Sequence, residues 1–185
     1  MIRYHITDRR ALGSTSALIG RIARNDAEGV DLVQVREKDL QARELCALVA
    51  EALRACRRAR VVVNTRVDVA LACGAHGAHL PADSPPASVW RPLTPPGFLI
   101  GVSCHNLAEL KAAEAGGADY ALFAPVFKPL SKEDAREPHG LAGLRAACAA
   151  VRIPVYALSG ITVENAQLCV EAGAAGVAGI TLFQS

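Results

Sequence analysis

The sequence has no long apolar run, no block of like charge and no apolar segment near its first methionine. Its longest apolar stretches, such as "YALFAPVF", fall well short of the ~20 residues that a membrane helix requires. The opening residues, "MIRYHITDRR", lack the apolar core of a secretion signal. A net charge of +2, with the arginines spread along the chain, argues against a nucleic-acid partner. We therefore expect a cytoplasmic protein with neither a membrane nor a nucleic-acid partner.

Cysteine pairs of the C-x-x-C type are also missing. The six cysteines lie far apart, at positions 46, 56, 73, 104, 148 and 169. This spacing disfavours a zinc site and a disulfide framework, and it predicts that five of them are small core residues of a reduced protein. Cys104 is kept apart from these five because it lies among polar residues at the end of a predicted strand.

No G-x-G-x-x-G motif follows the first predicted strand, which weakens the case for a dinucleotide-binding sheet. The chain instead alternates short β-branched or apolar runs with Ala- and Leu-rich helical stretches, eight times over. Crossovers of this length suit parallel pairing. We predict one domain over residues 1–185, an α/β fold of the (β/α)8 (TIM) barrel type, with an open doubly wound sheet as the alternative. The predicted strands are Ile2–Ile6, Leu32–Arg36, Val61–Val63, Ala78–Leu80, Leu99–Ser103, Tyr120–Ala124, Val155–Leu158 and Gly176–Thr181.

The alternation stops one helix short of a complete barrel. Such barrels typically need about 200 residues or more, whereas Ser185 comes almost directly after the eighth predicted strand. The sequence therefore predicts that the last helix is missing or truncated, or that a partner chain replaces it. We expect a homo-oligomer, because apolar barrel surface would otherwise stay uncovered.

The stretch "LVQVREKDL" carries a polar residue at every second position of an apolar strand. Side chains alternate between the two faces of a strand, so Gln34, Arg36 and Lys38 are predicted to project to one side while Val33 and Val35 face the helices. An exposed edge strand would give the same pattern, but a closed barrel has no edges. The pattern thus indicates a polar patch inside the barrel.

Further polar residues follow the other predicted strands, at the barrel end where active sites of this fold lie. Arg36 and Lys38 are predicted to converge with Lys132 into a cationic pocket, in which Arg can bind a phosphate through two donors. Backbone N–H groups of "SGIT" and of the eighth strand end would supply a second anion site. The sequence therefore predicts a small, phosphorylated substrate.

Six segments, in order, resemble the thiamine phosphate synthase/TenI (thiazole tautomerase) family. They are "QVREKDL", "VVNTRVDVALACGAHGAHLP", "IGVSCHN", "GADYALFAPVF", "IPVYALSGIT" and "AGAAGVAGIT", and they span almost the whole chain. The resemblance implies a (β/α)8 barrel. It also implies one of two reactions: the synthase joins hydroxymethylpyrimidine pyrophosphate to a thiazole phosphate with magnesium, and TenI-like members aromatise a thiazole phosphate tautomer by proton transfer.

The resemblance assigns substrate-binding roles to nine residues of this chain. This chain has counterparts of the family's Q-x-R-x-K motif, of the asparagine of its Asn-Asp pair and of the serine of "G-x-S-x-H". It also has counterparts of two residues of the loop after strand 6 and of the phosphate positions on strands 7 and 8. These residues are Gln34, Arg36, Lys38, Asn64, Ser103, Ser131, Lys132, Gly160 and Thr181.

The sequence departs from the synthase pattern at its metal carboxylates. Thr65 stands where the synthase has an aspartate, and Ser84 stands where it has a second one, with Asp83 displaced by one position. Magnesium prefers hard carboxylate oxygens in near-octahedral geometry. We therefore expect no metal ligands and no cofactor, with Mg2+ needed only if synthase activity is retained, and the pattern favours a TenI-like protein.

Proton transfer needs a group of suitable pKa within hydrogen-bond reach of the substrate. Some tautomerases have a histidine at the end of strand 6, where this chain has Pro125. The remaining candidates are His105, taken first, His79, taken second, and Cys104. Three hypotheses stay open: a tautomerase binding a thiazole phosphate, a thiamine phosphate synthase with an altered metal site, and a non-catalytic phosphate-ligand-binding or regulatory protein.

Overall fold

Eight parallel strands close into one barrel in the computed structural model, which describes residues 1–129 and 136–184. Each strand pairs with the next along the chain, and β8 pairs with β1 to complete the ring. The predicted (β/α)8 barrel is confirmed, and the open sheet is excluded. The strands are β1 Ile2–Ile6, β2 Leu32–Val35, β3 Arg60–Asn64, β4 Gly77–Leu80, β5 Leu99–Cys104, β6 Tyr120–Phe123, β7 Val155–Leu158 and β8 Gly176–Gly179.

Helices cover the outside of the barrel between successive strands. Polar side chains begin several of them: Ser14, Asn106 and Thr162 each accept a backbone N–H of the first turn. No helix in the described part of the chain is long and apolar enough to cross a membrane. The helices are α1 Arg9–Leu12, α2 Thr15–Ala27, α3 Ala42–Ala55, α4 Val67–Ala72, α5 Ala87–Trp90, α6 Leu107–Ala115, α7 Gly140–Ala150, α8 Val163–Glu171 and α9 Thr181–Gln184, with a 3₁₀ turn at Arg91–Leu93.

The segment after β8 is a short helix, α9. The predicted eighth strand was too long at its end, because β8 stops at Gly179 and Thr181 begins α9. The helix packs back on β1: Phe183 is buried, and the amide of Gln184 exchanges two hydrogen bonds with the backbone of Asp8. A short final helix therefore follows β8, while the homo-oligomer stays a prediction.

The inside of the barrel is filled by one set of side chains that point inward. All three tyrosines of the chain, Tyr4, Tyr120 and Tyr156, lie in this inner core and pack their rings together. Gly101 on β5 leaves room for the ring of Tyr120, since a Cβ atom at that position would lie 2.0 Å from Cζ of Tyr120. The larger, outer core lies between the strands and the helices.

The cysteine prediction is wrong for one pair. Cys46 on α3 and Cys73 at the end of α4 form a disulfide bond across 27 residues of sequence. The packing of α3 against α4 brings them together, and spacing along the chain does not reveal such helix contacts. The remaining four are free thiols, of which Cys104 and Cys169 are fully buried.

A buried carboxylate ties the second helix to the start of β3. Asp26 accepts hydrogen bonds from the backbone N–H groups of Arg57, Arg58 and Ala59 at 2.7–3.0 Å. Burial raises the pKa of Asp26, but these three donors outweigh it and hold the pKa below its ordinary value. Because the ionised form is the bonded one, Asp26 stabilises the fold above the carboxylate's ordinary pKa and loses this contribution in acid.

We predict that Asp26→Asn lowers the free energy of unfolding by about 1.5–3 kcal/mol, since an amide has one oxygen to accept three N–H groups. Urea unfolding at neutral pH measures the change. Asp83→Asn, at an exposed carboxylate, is the matched control and should stay within about 0.5 kcal/mol of the unsubstituted protein. Equal losses in both variants would contradict the role given to Asp26.

Two histidines are buried in the barrel wall, one on each side of it. His5 lies on the outer face of β1, where its Nδ1 accepts from Asn25 at 3.1 Å. Burial lowers the pKa of His5 to about 4. His79 lies inside the barrel, where burial and the positive charge of Arg36 lower its pKa to about 3. Both imidazoles are therefore neutral in the folded protein near neutral pH.

This pair predicts a loss of stability in mild acid. Between about pH 6.5 and pH 4 the unfolded chain takes up a proton on each histidine and the folded chain does not. The stabilisation is therefore complete above about pH 6.5, and each histidine removes up to about 1.4 kcal/mol per pH unit below it. Urea unfolding at successive pH values should show this slope, and His5→Gln should make it shallower. A constant free energy from about pH 7 to pH 5 would contradict the assignment.

Candidate active site

A continuous chain of hydrogen bonds crosses the inner core and ends at the carboxyl-terminal mouth of the barrel. Gln34 donates from Nε2 to the Tyr4 hydroxyl at 2.9 Å, and that hydroxyl lies 2.9 Å from the hydroxyl of Tyr120. The Tyr120 hydroxyl lies 3.3 Å from Nδ1 of His79, whose Nε2 lies 2.8 Å from Oγ of Ser103. We call these five residues the relay. Four of them are at most 2% exposed, and the fifth, Ser103, is half-buried at the mouth.

Burial keeps every ionisable member of the relay uncharged. Burial raises the pKa of Tyr4 and of Tyr120 well above the ordinary tyrosine value, so both hydroxyls hold their protons. His79, with its pKa lowered to about 3, is a neutral imidazole. A base of such low pKa takes up protons poorly at neutral pH. His79 is therefore better suited to orient Ser103 than to abstract a proton.

Arg36 reaches the same mouth from the end of β2 and is held by a second set of buried groups. Its backbone N–H donates to Oγ1 of Thr7 at 2.9 Å, and that hydroxyl donates to Oε1 of Glu37 at 2.7 Å. Glu37 also accepts from the backbone N–H of Arg9, at 3.0 Å. Burial raises the pKa of Glu37, while these donors act against the rise. The loop that carries Arg36 is thus fixed to the end of β1.

Strand alternation does not decide where Lys38 projects. The strand ends at Val35, so the period-two argument places Gln34 and does not extend to Lys38. Lys38 is exposed and lines a cavity of about 310 Å3 together with Asn64 and Thr65 at the end of β3. Lys38 therefore lies beside the turn after β3.

The turn after β3 has an unusual backbone. Asn64 ends the strand beside His79 in register, and its Nδ2 donates to Oγ1 of Thr65 at 3.0 Å. Thr65 has φ +65°, a left-handed conformation that β-branched residues rarely adopt and Asn or Asp adopt more easily. Strained residues of this kind cluster at functional sites.

His105, the first candidate for proton transfer, lies just beyond the end of β5 and is half-buried. Its Nδ1 lies 3.0 Å from Oε2 of Glu109, which also accepts the His105 backbone N–H. A carboxylate at Nδ1 holds the ring and leaves Nε2 as the basic nitrogen. The side chain of His105 is hydrogen-bonded to Glu109 rather than to a member of the relay. Cys104 is buried in the outer core, and burial raises its pKa to about 12, so it is unsuited to acid–base work near neutral pH.

The predicted phosphate positions lie at the ends of β7 and β8, which are neighbours in the barrel. Gly160 has φ +66°, and a Cβ atom there would lie 2.4 Å from the backbone oxygen of Lys128. Glycine is thus required where the loop after β7 passes the loop after β6. Thr181 is exposed at the start of α9. Two further predicted residues, Ser131 and Lys132, lie outside the described residues.

The residues at the mouth do not fit a carboxylate-bound magnesium site. Thr65 and Ser84 carry hydroxyls, and the Ser84 hydroxyl donates to the backbone oxygen of Pro85. Asp83 is exposed to solvent. Within residues 1–129 and 136–184, no three His, Cys, Asp or Glu side chains are grouped so that they could hold a metal ion. We therefore derive no step through magnesium bound by these side chains.

Sequence reasoning placed the strand-end residues at the mouth but missed the groups that support them. Tyr4 and Tyr120 were overlooked because a tyrosine in an apolar strand resembles an ordinary core residue. Their inward positions follow from the same alternation that placed Gln34. Thr7 and Glu37 gave no periodic signal, since both lie in loops beyond strand ends.

Comparison with known proteins agrees with this architecture. The family model described as "Thiamine monophosphate synthase" matches residues 3–183. The "Putative thiamine-phosphate synthase 2" of Aquifex aeolicus is 43% identical over 182 residues, which are 97% of this chain and 96% of that protein. The "Putative thiamine-phosphate synthase" of Geobacter sulfurreducens is 46% identical over 177 residues, 95% of this chain and 83% of that protein.

A solved structure gives the same result. The thiamine phosphate pyrophosphorylase from Pyrococcus furiosus superposes with a TM-score of 0.86 at 32% identity, covering 100% of this chain and 88% of that one. The family match spans nearly the whole barrel, including every strand that carries a residue of the mouth. The chain therefore belongs to the thiamine monophosphate synthase family.

Proposed function

We propose that the protein is a biosynthetic enzyme that joins a hydroxymethylpyrimidine pyrophosphate to a thiazole phosphate, forming thiamine phosphate at the mouth of the barrel. The observation that carries this proposal is the near full-length similarity to relatives named thiamine-phosphate synthase. The comparisons thus favour the transferase over the tautomerase that the departures from the metal motif suggested.

The charges of the mouth support a pyrophosphate leaving group. Negative charge accumulates on pyrophosphate as its bond to the pyrimidine breaks, and preorganised cations stabilise such charge best. The backbone of Arg36 is fixed by its hydrogen bond to Thr7, and the charge of its side chain acts on His79. The guanidinium can hold two phosphate oxygens at once. Gly160 and Thr181, at the ends of β7 and β8, are suited to the phosphate of the thiazole. Ser103 lies on β5 and offers a polar group to the reacting rings.

A second candidate, tautomerisation of a thiazole phosphate, is favoured by one specific observation. The two positions where the resemblance expects magnesium carboxylates hold Thr65 and Ser84. Proton transfer needs no such metal, only an oriented base. His105 meets that requirement because Glu109 holds its Nδ1 and leaves Nε2 as the base.

We predict thiamine phosphate formation when both substrates are supplied in buffer that contains Mg2+, and no product when either substrate is omitted. Arg36→Met should lower kcat/KM roughly 10- to 100-fold, as expected for the loss of a charged hydrogen-bonding partner. Arg43→Met, at an exposed position on α3, is the matched control and should leave the rate unchanged.

No product at high enzyme concentration would exclude the synthase. Acceleration of thiazole aromatisation, abolished by His105→Gln, would then support the tautomerase, and ligand binding without either reaction would support a binding protein.

Restoring the carboxylates tests why the metal motif differs. In Thr65→Asp/Ser84→Asp, the two carboxylates should supply ligands for Mg2+ and raise the Mg2+-dependent rate of synthesis. Thr65→Asn/Ser84→Asn has nearly the same shape and relieves the left-handed strain at position 65 equally, but it adds no charge. A gain confined to the aspartate variant supports the synthase. Equal rates in the two double variants would show that carboxylates do not limit the reaction.

A further inference from the structure

The hydrogen bonds of the relay all donate in one direction, and Gln34 sets that direction because its amide nitrogen can only be a donor. The amide Nε2 of Gln34 can only donate, so the Tyr4 oxygen accepts its hydrogen. The Tyr4 hydrogen is then directed to the Tyr120 oxygen, and the Tyr120 hydrogen to Nδ1 of His79. In the opposite direction the Tyr4 hydroxyl would accept from both neighbours and leave its own hydrogen buried without a partner, which costs about 1–3 kcal/mol.

This direction determines the tautomer of His79. An Nδ1 that accepts from Tyr120 carries no proton, so the proton of the neutral imidazole lies on Nε2. Nε2–H then donates to Oγ of Ser103 at 2.8 Å. Because that bond uses the serine as an acceptor, the hydroxyl hydrogen of Ser103 is left to donate into the mouth.

We propose that Gln34, Tyr4 and Tyr120 are positioning residues that hold His79 in its Nε2–H tautomer and so make Ser103 a hydrogen-bond donor to the substrate. The atom that it serves is an acceptor of the ligand, either a phosphate or pyrophosphate oxygen or an unprotonated ring nitrogen. In this role Ser103 is neither a nucleophile nor a base, since the group beside it donates a proton and cannot accept one. The identity of the ligand rests on the proposed function, whereas the tautomer does not.

The depth of the relay explains how the direction can persist. Tyr4 is 0% exposed and Tyr120 is 2% exposed, so bulk water does not compete for their hydroxyls. Their rings are held in edge and tilted contacts with Tyr156, which restrict rotation of the side chains. Tyr156 packs against the relay without being one of its members. It therefore provides a matched control, in which a hydroxyl is removed from the same core.

The test is the tautomer of His79, read from the 15N shifts of labelled histidine in the folded protein near neutral pH. Five histidines give few signals, and His79→Gln identifies the one required. We expect a protonated Nε2 and an unprotonated Nδ1. Tyr120→Phe removes the donor to Nδ1, and Gln34→Met removes the donor that sets the direction, so each should give a mixture of tautomers. Tyr156→Phe should keep the single tautomer.

An Nδ1–H tautomer in the unsubstituted protein would overturn the proposal without any variant being needed. A single Nε2–H tautomer that survives in Tyr120→Phe would overturn it as well, because the relay would then not be its cause. Affinity for inorganic pyrophosphate, measured by calorimetry, gives a second readout: Ser103→Ala and Tyr120→Phe should each weaken binding by roughly 3- to 30-fold, and Tyr156→Phe should not. Affinity that is unchanged in Ser103→Ala for both inorganic pyrophosphate and the thiazole phosphate would refute the donor role.

The tautomer of His79 and the assay for thiamine phosphate formation together separate this inference from the proposed function. The expected tautomer in a protein that makes no thiamine phosphate would leave the relay standing and remove the synthase. Product formation in a protein with the Nδ1–H tautomer would do the reverse.

Discussion

Filling a narrow closed barrel is the constraint on which the rest of the structure depends. Three tyrosines occupy the inner core, and Gly101 leaves the space that the ring of Tyr120 requires. Tyrosine brings a hydroxyl with it, and a buried hydroxyl without a partner is costly. Hydrogen bonds link the hydroxyls of Tyr4 and Tyr120 to one another and to polar side chains on β2 and β4, so that neither hydroxyl lacks a partner. Core packing thus creates the relay.

The site at the mouth is built on that core. His79 belongs both to the buried network and to the end of β4, so it transmits the arrangement of the tyrosines to Ser103. Arg36 is fixed separately, through Thr7 and Glu37 at the end of β1. A donor and a cation therefore face the same opening from different strands. Hydrogen bonds hold the side chain of Ser103 and the backbone of Arg36, and groups fixed in this way suit preorganised stabilisation of an anion.

Much of the fold and part of the site could be predicted from the sequence. Strand alternation placed Gln34 inside the barrel because its period is a local property. The same alternation does not reach Arg36 or Lys38, because the strand ends before them. Tyr4 and Tyr120 are 116 residues apart, and the Cys46–Cys73 disulfide depends on helix packing, so neither contact has a local signal. Contacts of this kind are decided by closure of the barrel.

We propose that the carboxyl-terminal mouth, with the relay beneath it, binds a phosphorylated ligand. A crystal structure of the protein with bound thiazole phosphate tests this claim most directly. We expect the phosphate to lie against the loops after β7 and β8, and an acceptor atom of the ligand to lie within hydrogen-bond distance of Ser103. A ligand bound instead at the opposite end of the barrel, in the cavity lined by Arg58 and Arg60, would contradict it.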